Sequence, residues 1–415
     1  MMQTARINSL CSRVTSGGTP SRKHRKYYAD SNNGHLWVKS KELLDRAIDD
    51  TEERISDEGL QRSSAKYLPA NTALMAMYGA NVGQLGWLKC PATVNQAVCG
   101  MVVDGEIADP RYVFYALLYS RPALTAKAQG AAQQNLNQGL IKEFEIPTPP
   151  LKAQKQIAAI LSAYDDLIEN NLRRIKISEE MAQDLYREWF VKFRFPGHEQ
   201  VRMVDSPLGK IPEGWEVMSV SEAVDLNPKL NIEKDKEKFF VPMSGLSTDS
   251  MVITEFKYRT GNNGAKFQNG DTLFARITPS TEHGKTGFVQ CLTSDDEVAF
   301  GSTEYIVMRS KYLNPYAVYF LARELDLREH AIRSMTGASG RQRVQVGCFD
   351  NFFIATSAQD VLEKFEQAVA PNFRLIQKLW DKNRALSQTR DLLLPKLISG
   401  ELDVSELDIN IEETA

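Results

Sequence analysis

The stretch 151–191 constrains this chain more than any other. It reads LKAQKQIAAILSAYDDLIENNLRRIKISEEMAQDLYREWFV, holds no Pro or Gly, and follows Pro147, Pro149 and Pro150. Alternating steps of four and three from Ile157 land on Leu161, Tyr164, Ile168, Asn171, Ile175, Ser178, Ala182, Leu185 and Trp189. Most of these are apolar, and Lys, Arg, Asp and Glu fill the faces between them. The spacing predicts a single helix with a coiled-coil seam. At 1.5 Å per residue it spans roughly 60 Å, more than one small domain can bury. Such a helix needs a partner helix.

The partner lies in the same chain. The stretch 357–399 repeats the pattern at a constant offset of 208 residues. Phe365, Val369, Asn372, Ile376, Leu379, Asn383, Leu386, Arg390, Leu393 and Leu397 match the seam positions in order. The approaches match as well: Gly130-Ala131-Ala132 with Gly337-Ala338-Ser339, Phe144 with Phe352, and Ile146 with Ile354. Any two amphipathic helices share a seam pattern, but not a gap-free offset with similar segments in front of both, so tandem duplication is the better reading. Asn171 and Asn372 occupy seam positions, where a polar residue fixes register at some cost in stability. Arg390 is expected to snorkel outward or to mark where the seam opens.

The 415 residues, 42% of them apolar, suffice for two globular domains plus the helices. Five scattered Cys form no CxxC, and five His have no ligand spacing. A reducing compartment and no structural metal are therefore expected. No apolar run approaches a membrane span and no signal-peptide core opens the chain, so the expected location is cytoplasmic, without a membrane partner. There is no GxxxxGK[ST], no GxGxxG after a strand and no Asn/Asp-Pro-Pro-Tyr/Phe. The acidic pairs Asp165-Asp166 and Asp295-Asp296 read as solvated. Neither a catalytic site nor a cofactor site is expected.

The net charge of −3 hides an uneven distribution. The last fifteen residues hold six acids and no base, while the first forty-six hold nine Lys/Arg against three Asp/Glu. Arg22, Lys23, Arg25 and Lys26 stand close together. A basic patch of this kind suits a polyanion, although a solvated charged surface looks the same on charge alone.

In chain order, 1–150 forms a first globular unit of short strands with a helix near 110–120. The long helix follows at 151–191 and a connector at 192–213. A second unit takes 214–356, the second long helix 357–399 and an acidic tail 400–415. The fold class is mixed α/β (α+β). Leu74-Met75-Ala76 corresponds to Leu273-Phe274-Ala275, Gly86-Trp87 to Gly287-Phe288, and Tyr115 to Tyr319. The loops after the first pair diverge, with Tyr78-Gly79-Ala80-Asn81 facing Thr278-Pro279-Ser280. Two copies of one scaffold with different reading surfaces look like this.

Four stretches resemble the specificity subunit of type I DNA restriction-modification systems. They are SGGTPS at 16–21, NLNQGLIKEFEIPTPPLKAQKQIAAIL at 135–161, GKIPEGW at 209–215 and LLPKLISGEL at 393–402. The approach to the second helix, Ile354 to Gln359, lacks both prolines, which leaves that helix start open. The resemblance implies two target-recognition domains, each reading half of a bipartite, asymmetric site in double-stranded DNA. It implies two antiparallel helices that set the spacing between half-sites. It also implies two partner methyltransferase subunits that use S-adenosylmethionine on adenine N6, and two restriction/translocase subunits that use ATP and Mg. This chain would be the non-catalytic, DNA-binding subunit.

Reading needs side chains at base edges, and register needs phosphate contacts. For phosphate contact the candidates are Ser16, Thr19, Ser21, Arg22 and Lys23. Gly17 and Gly18 can take positive φ there, and a purely structural turn fits the same residues. For base reading they are Lys39, Tyr78 and Asn81. In the second unit they are Arg276, Thr278, Ser280 and Lys285, with Arg341 and Arg343, which alternatively pair with acids on a neighbouring helix. The rival function is a non-enzymatic scaffold whose helices recruit partners and whose small domains bind protein.

Overall fold

The computed structural model describes residues 3–30, 33–127, 135–338, 340–405 and 407. The matched Gly130-Ala131-Ala132, Ser339 and most of the acidic tail lie outside the described residues. Contacts divide the chain into two compact units, Met1–Glu169 with Arg384–Ala415, and Asn170–Asn383. The division falls inside the long helices rather than at their ends.

In the first unit, one sheet has the spatial order Cys11–Ser16, Val98–Val103, Ala73–Ala76, Leu85–Leu88, Arg46–Ile48. A second runs Tyr28–Ala29, Arg54–Ile55, His35–Val38, Ala92–Val94, Lys66–Leu68. The strand Ala73–Ala76 is buried on both faces, and the two-residue period of a strand sorts its side chains. Ala73 and Met75 join the core of the helix Pro110–Ala126, while Leu74 and Ala76 join Val38, Leu68 and Val94. The side chain of Asp109 caps that helix and Pro110 opens it, a favourable pairing at a helix start.

The second unit has the sheet order Val224–Leu226, Tyr305–Ser310, Thr272–Ala275, Thr286–Phe288. Its other sheet runs Lys257–Arg259, Lys238–Val241, Ala299–Gly301, Lys266–Phe267. Each of these positions has a counterpart in the first unit, down to the one parallel pair in the second sheet: His35–Val38 with Ala92–Val94, and Lys238–Val241 with Ala299–Gly301. The first unit adds Arg46–Ile48 and Tyr28–Ala29 at sheet edges. Again Phe274 faces the helical core and Leu273 faces the other sheet's core. The helix Pro315–Arg323 opens like its counterpart, with Asn314 as cap and Pro at its start.

The first long helix runs Leu151–Tyr186 and ends in a π-helical turn, Arg187–Val191. Its start is pinned by Gln154, whose Nε2 donates to Pro149 O and whose Oε1 accepts from Asp109 N. The second runs Gln359–Ile398, and Gly400 closes it at φ +73°, a left-handed conformation glycine adopts without strain.

The expected seam positions are buried or half-buried in both helices. Ile157, Leu161, Ile175, Phe365, Val369, Ile376 and Leu379 are buried, and Tyr164, Ile168, Leu185, Leu386 and Leu393 half-buried. In the first unit Ile157 and Leu161 share a core with Leu394, Leu397 and Ile398. In the second, Asn171 bonds Asn383 while Tyr186, Trp189 and Phe190 pack on Phe365, so the helices run in opposite directions there. Arg390 neither snorkels nor opens the seam. It pairs with Asp165 and Asp391. Asp165 also accepts from Tyr115 Oη at 2.5 Å, and Asp166 pairs with Arg111, so this acidic pair is engaged rather than solvated. Asp295 and Asp296 are exposed.

Candidate nucleic-acid interface

The loop after Cys11–Ser16 is shaped by close approach, not by left-handed backbone. Neither Gly17 nor Gly18 has positive φ. A Cβ on Gly17 would lie 1.7 Å from Val94 O, and one on Gly18 would lie 2.0 Å from Ser64 Oγ. The backbone therefore sinks into the second sheet, where Gly18 O accepts from Trp37 Nε1 at 3.1 Å and Pro20 O from Tyr28 Oη at 2.7 Å. This anchoring turns Thr19, Ser21, Arg22 and Lys23 outward, all exposed. Thr19 donates to Gln96 Oε1, and Ser16 Oγ, half-buried, accepts from Gln138 Nε2 at 2.8 Å.

Arg22 and Lys39 meet at one carboxylate. Arg22 reaches Glu53 with both terminal nitrogens, at 2.6 and 3.1 Å, and lies 4.3 Å from the Tyr28 ring centroid. Lys39 Nζ contacts Glu53 at 2.8 Å and Glu52 at 3.1 Å. The Arg22 hydrogen bond, ahead of Lys39, draws the Glu53 carboxyl down to about 2. Burial pulls Lys39 down, but its bonds to Glu53 and Glu52 outweigh that, so its pKa is raised. Tyr78 and Asn81 are half-buried in the loop after Ala73–Ala76. Burial raises the Tyr78 phenol, and Asn81 donates to Ser40 O at 3.1 Å.

In the second unit the equivalent loop is stitched to the segment before the second long helix. Thr278 N donates to Gln342 O, Gln342 N returns a bond to Thr278 Oγ1 at 3.1 Å, and Ile277 bridges Arg343. Arg276, half-buried, donates from Nη2 to Val344 O at 3.0 Å. Arg276, Thr278 and Arg343 are thus brought together. Arg343 pairs with Glu304 at 2.6–3.0 Å, an acid in a strand turn and not on a neighbouring helix. The Arg343 hydrogen bonds hold the Glu304 carboxyl below its ordinary value. Lys285 turns to Met243 O at 3.1 Å, Ser280 is half-buried and Arg341 is exposed.

Sequence reasoning missed Glu52, Glu53, Gln138 and Glu304. One signal was available: Asp49-Asp50-Thr51-Glu52-Glu53 follows directly on the basic N-terminal stretch. Among the described residues no cluster of three or more His, Cys, Asp and Glu is placed to hold a metal ion. No described helix is long and apolar enough to cross a membrane.

The family model of the type I restriction modification DNA specificity domain matches residues 2–178. The chain is 27% identical to the type I restriction enzyme MjaIX specificity subunit of Methanocaldococcus jannaschii, over 95% of this chain and 92% of that one. It is 26% identical to the EcoR124I/EcoR124II specificity subunit of Escherichia coli, over 45% of this chain and 46% of that one. The crystal structure of the type I restriction-modification S subunit from M. genitalium shares the fold, with a TM-score of 0.59, 15% identity and 96% of each chain covered. Residues 2–178 thus match the type I restriction modification DNA specificity domain, and the chain along nearly its whole length is similar to a specificity subunit of a type I restriction enzyme.

Proposed function

We propose that the chain reads a bipartite, asymmetric sequence in double-stranded DNA. The target-recognition domains 1–150 and 214–356 each take one half-site. The helices 151–191 and 357–399 pair through their seams as a coiled coil, products of one tandem duplication, and set the separation of the half-sites. Two methyltransferase subunits carrying S-adenosylmethionine and two restriction subunits using ATP and Mg assemble on this frame, and the chemistry belongs to them.

One observation carries the reading. The same sheet order, including the parallel pair of the second sheet, recurs in both units, while the loop after the core strand differs completely. Tyr78 and Asn81 stand where the second unit has Thr278 and Ser280. A repeated scaffold with divergent loops suits two different half-sites read by the same geometry. The candidate DNA-binding residues are Ser16, Thr19, Ser21, Arg22 and Lys23 for phosphate and Lys39, Tyr78 and Asn81 for base edges in the first domain, with Arg276, Thr278, Ser280, Lys285, Arg341 and Arg343 in the second. Sequencing of methylated sites in cells that carry this chain with its methyltransferase partner tests it. The expected result is one motif with two unlike halves and an unread gap. A single contiguous motif would overturn the reading.

A further inference from the structure

The basic patch of the first unit does not stand free. Arg22 pairs with Glu53, Lys39 with Glu52 and Glu53, Lys41 with Glu52 at 2.5 Å, and Lys26 with Glu58 at 2.6 Å. Lys23 and Arg25 are exposed between them, with no ion-pair partner among the described residues.

These acids are held in place by main chain. Glu53 O accepts from Trp37 N at 3.3 Å and from Thr51 Oγ1 at 2.7 Å. Glu52 N donates to Glu42 Oε1 at 2.8 Å, while Glu42 Oε2 takes Lys39 N at 2.7 Å. Glu52 and Glu53 directly precede the strand Arg54–Ile55, which lies between two neighbours in the second sheet. The Arg22 guanidinium stacks beside Tyr28 and Trp37 and faces a fork of two oxygens, as it would face a phosphate.

We infer that Glu52 and Glu53 act as a built-in substitute for DNA phosphate, which suppresses sequence-independent binding by this unit and so raises its specificity. The inference rests on the DNA-reading function proposed above. Its physics is counterion exchange. A free lysine or arginine that meets a phosphate releases a condensed cation, whereas one already paired leaves a carboxylate that takes a cation up. Arg22, Lys39 and Lys41 then add little to non-specific affinity. The pairs themselves are partly exposed and inexpensive to break, so base contacts at the right sequence can still recruit these side chains. Glu52 and Glu53 are positioning and specificity-determining residues in this scheme.

The test is a salt titration of full-length chain on a mixed-sequence duplex. Glu52→Gln/Glu53→Gln should bind about tenfold more tightly near 0.1 M salt, and its log K against log salt should steepen by about two. An unchanged slope with affinity within twofold would overturn the inference. Should the double variant not fold, Arg22→Ala in the otherwise native chain decides. It should weaken non-specific binding less than Lys23→Ala does, and an equal or larger loss would sink the screen. If the native chain prefers its methylated motif over mixed sequence while these readouts fail, DNA reading survives and only the screen falls. If neither chain binds duplex at any salt, DNA reading falls and takes the screen with it.

Discussion

Asn171 donates from Nδ2 to Asn383 Oδ1 at 2.7 Å across the helix seam of the second unit, and both residues are buried. An apolar seam is satisfied by many registers, but two facing amides are satisfied by few. Replacing one leaves the other's polar atoms in a dry site. Asn171→Leu should therefore cost about 1–3 kcal/mol in urea unfolding. A double-mutant cycle with Asn383→Leu should return a coupling on the order of 1 kcal/mol. Additive losses would mean that the two amides do not act as a pair.

A second polar contact lies in the first unit's share of the seam. Asp165 takes both Arg390 and Tyr115 Oη there. With both side chains only partly exposed, Arg390→Leu leaves a half-buried carboxylate short of its cation. The expected cost is about 1–3 kcal/mol. The exposed helical pair Arg333–Glu329 offers the contrast, since Arg333→Ala should change stability by less than about 0.5 kcal/mol. Similar effects at the two sites would show that burial of the Asp165 pair carries no weight.

Glu53 gives a pH signature. Its carboxyl sits at about 2 in the folded chain against an ordinary 4.5, chiefly through the Arg22 hydrogen bond. A depressed folded value adds stability that is complete above about pH 4.5 and is lost as pH falls toward 2. Screening by solvent limits the effect to about 1 kcal/mol. Between pH 5 and pH 2 the native chain should lose most of that amount more unfolding free energy than Glu53→Gln, and about half of it by pH 3. Parallel pH curves for the two would contradict the pairing.

The long helices were legible because a 3.5-residue seam depends only on local spacing, and Ile157, Leu161, Phe365 and Ile376 are buried as that spacing requires. Seam partners were not legible. The constant offset aligns Asn171 with Leu379, whereas the helices run in opposite directions and bring it to Asn383. The same limit applies to charge. Arg22 and Lys39 could be counted from sequence, but Glu53 reaches them only because Arg54–Ile55 pairs with two other strands. Gly17 and Gly18 were visible as a loop signal. Their reason, contact with Val94 and Ser64, depends on strand packing far along the chain.

The candidate readers of the second unit separate into held and free arginines. Arg276 is half-buried and ties Val344 O, so Arg276→Ala should lower stability by about 1 kcal/mol. Arg341 is exposed, and Arg341→Ala should leave stability within about 0.5 kcal/mol. Methylation-site sequencing should find weaker contrast at one half-site only for either variant. Equal loss at both half-sites would show that the two domains do not read independently.

Spacing tests the role of the helices most directly. The contact-based division falls between Glu169 and Asn170 in one helix and between Asn383 and Arg384 in the other. One heptad inserted at each of these points keeps every seam residue in phase, because a seam repeats every seven residues. The insertion lengthens each helix by about 10 Å, close to the rise of three base pairs at about 3.4 Å each. The expected methylation motif has the same two half-site sequences and a gap wider by about three base pairs. Unchanged spacing with altered half-site bases would assign the reading to the helices, not to the loops after Ala73–Ala76 and Thr272–Ala275.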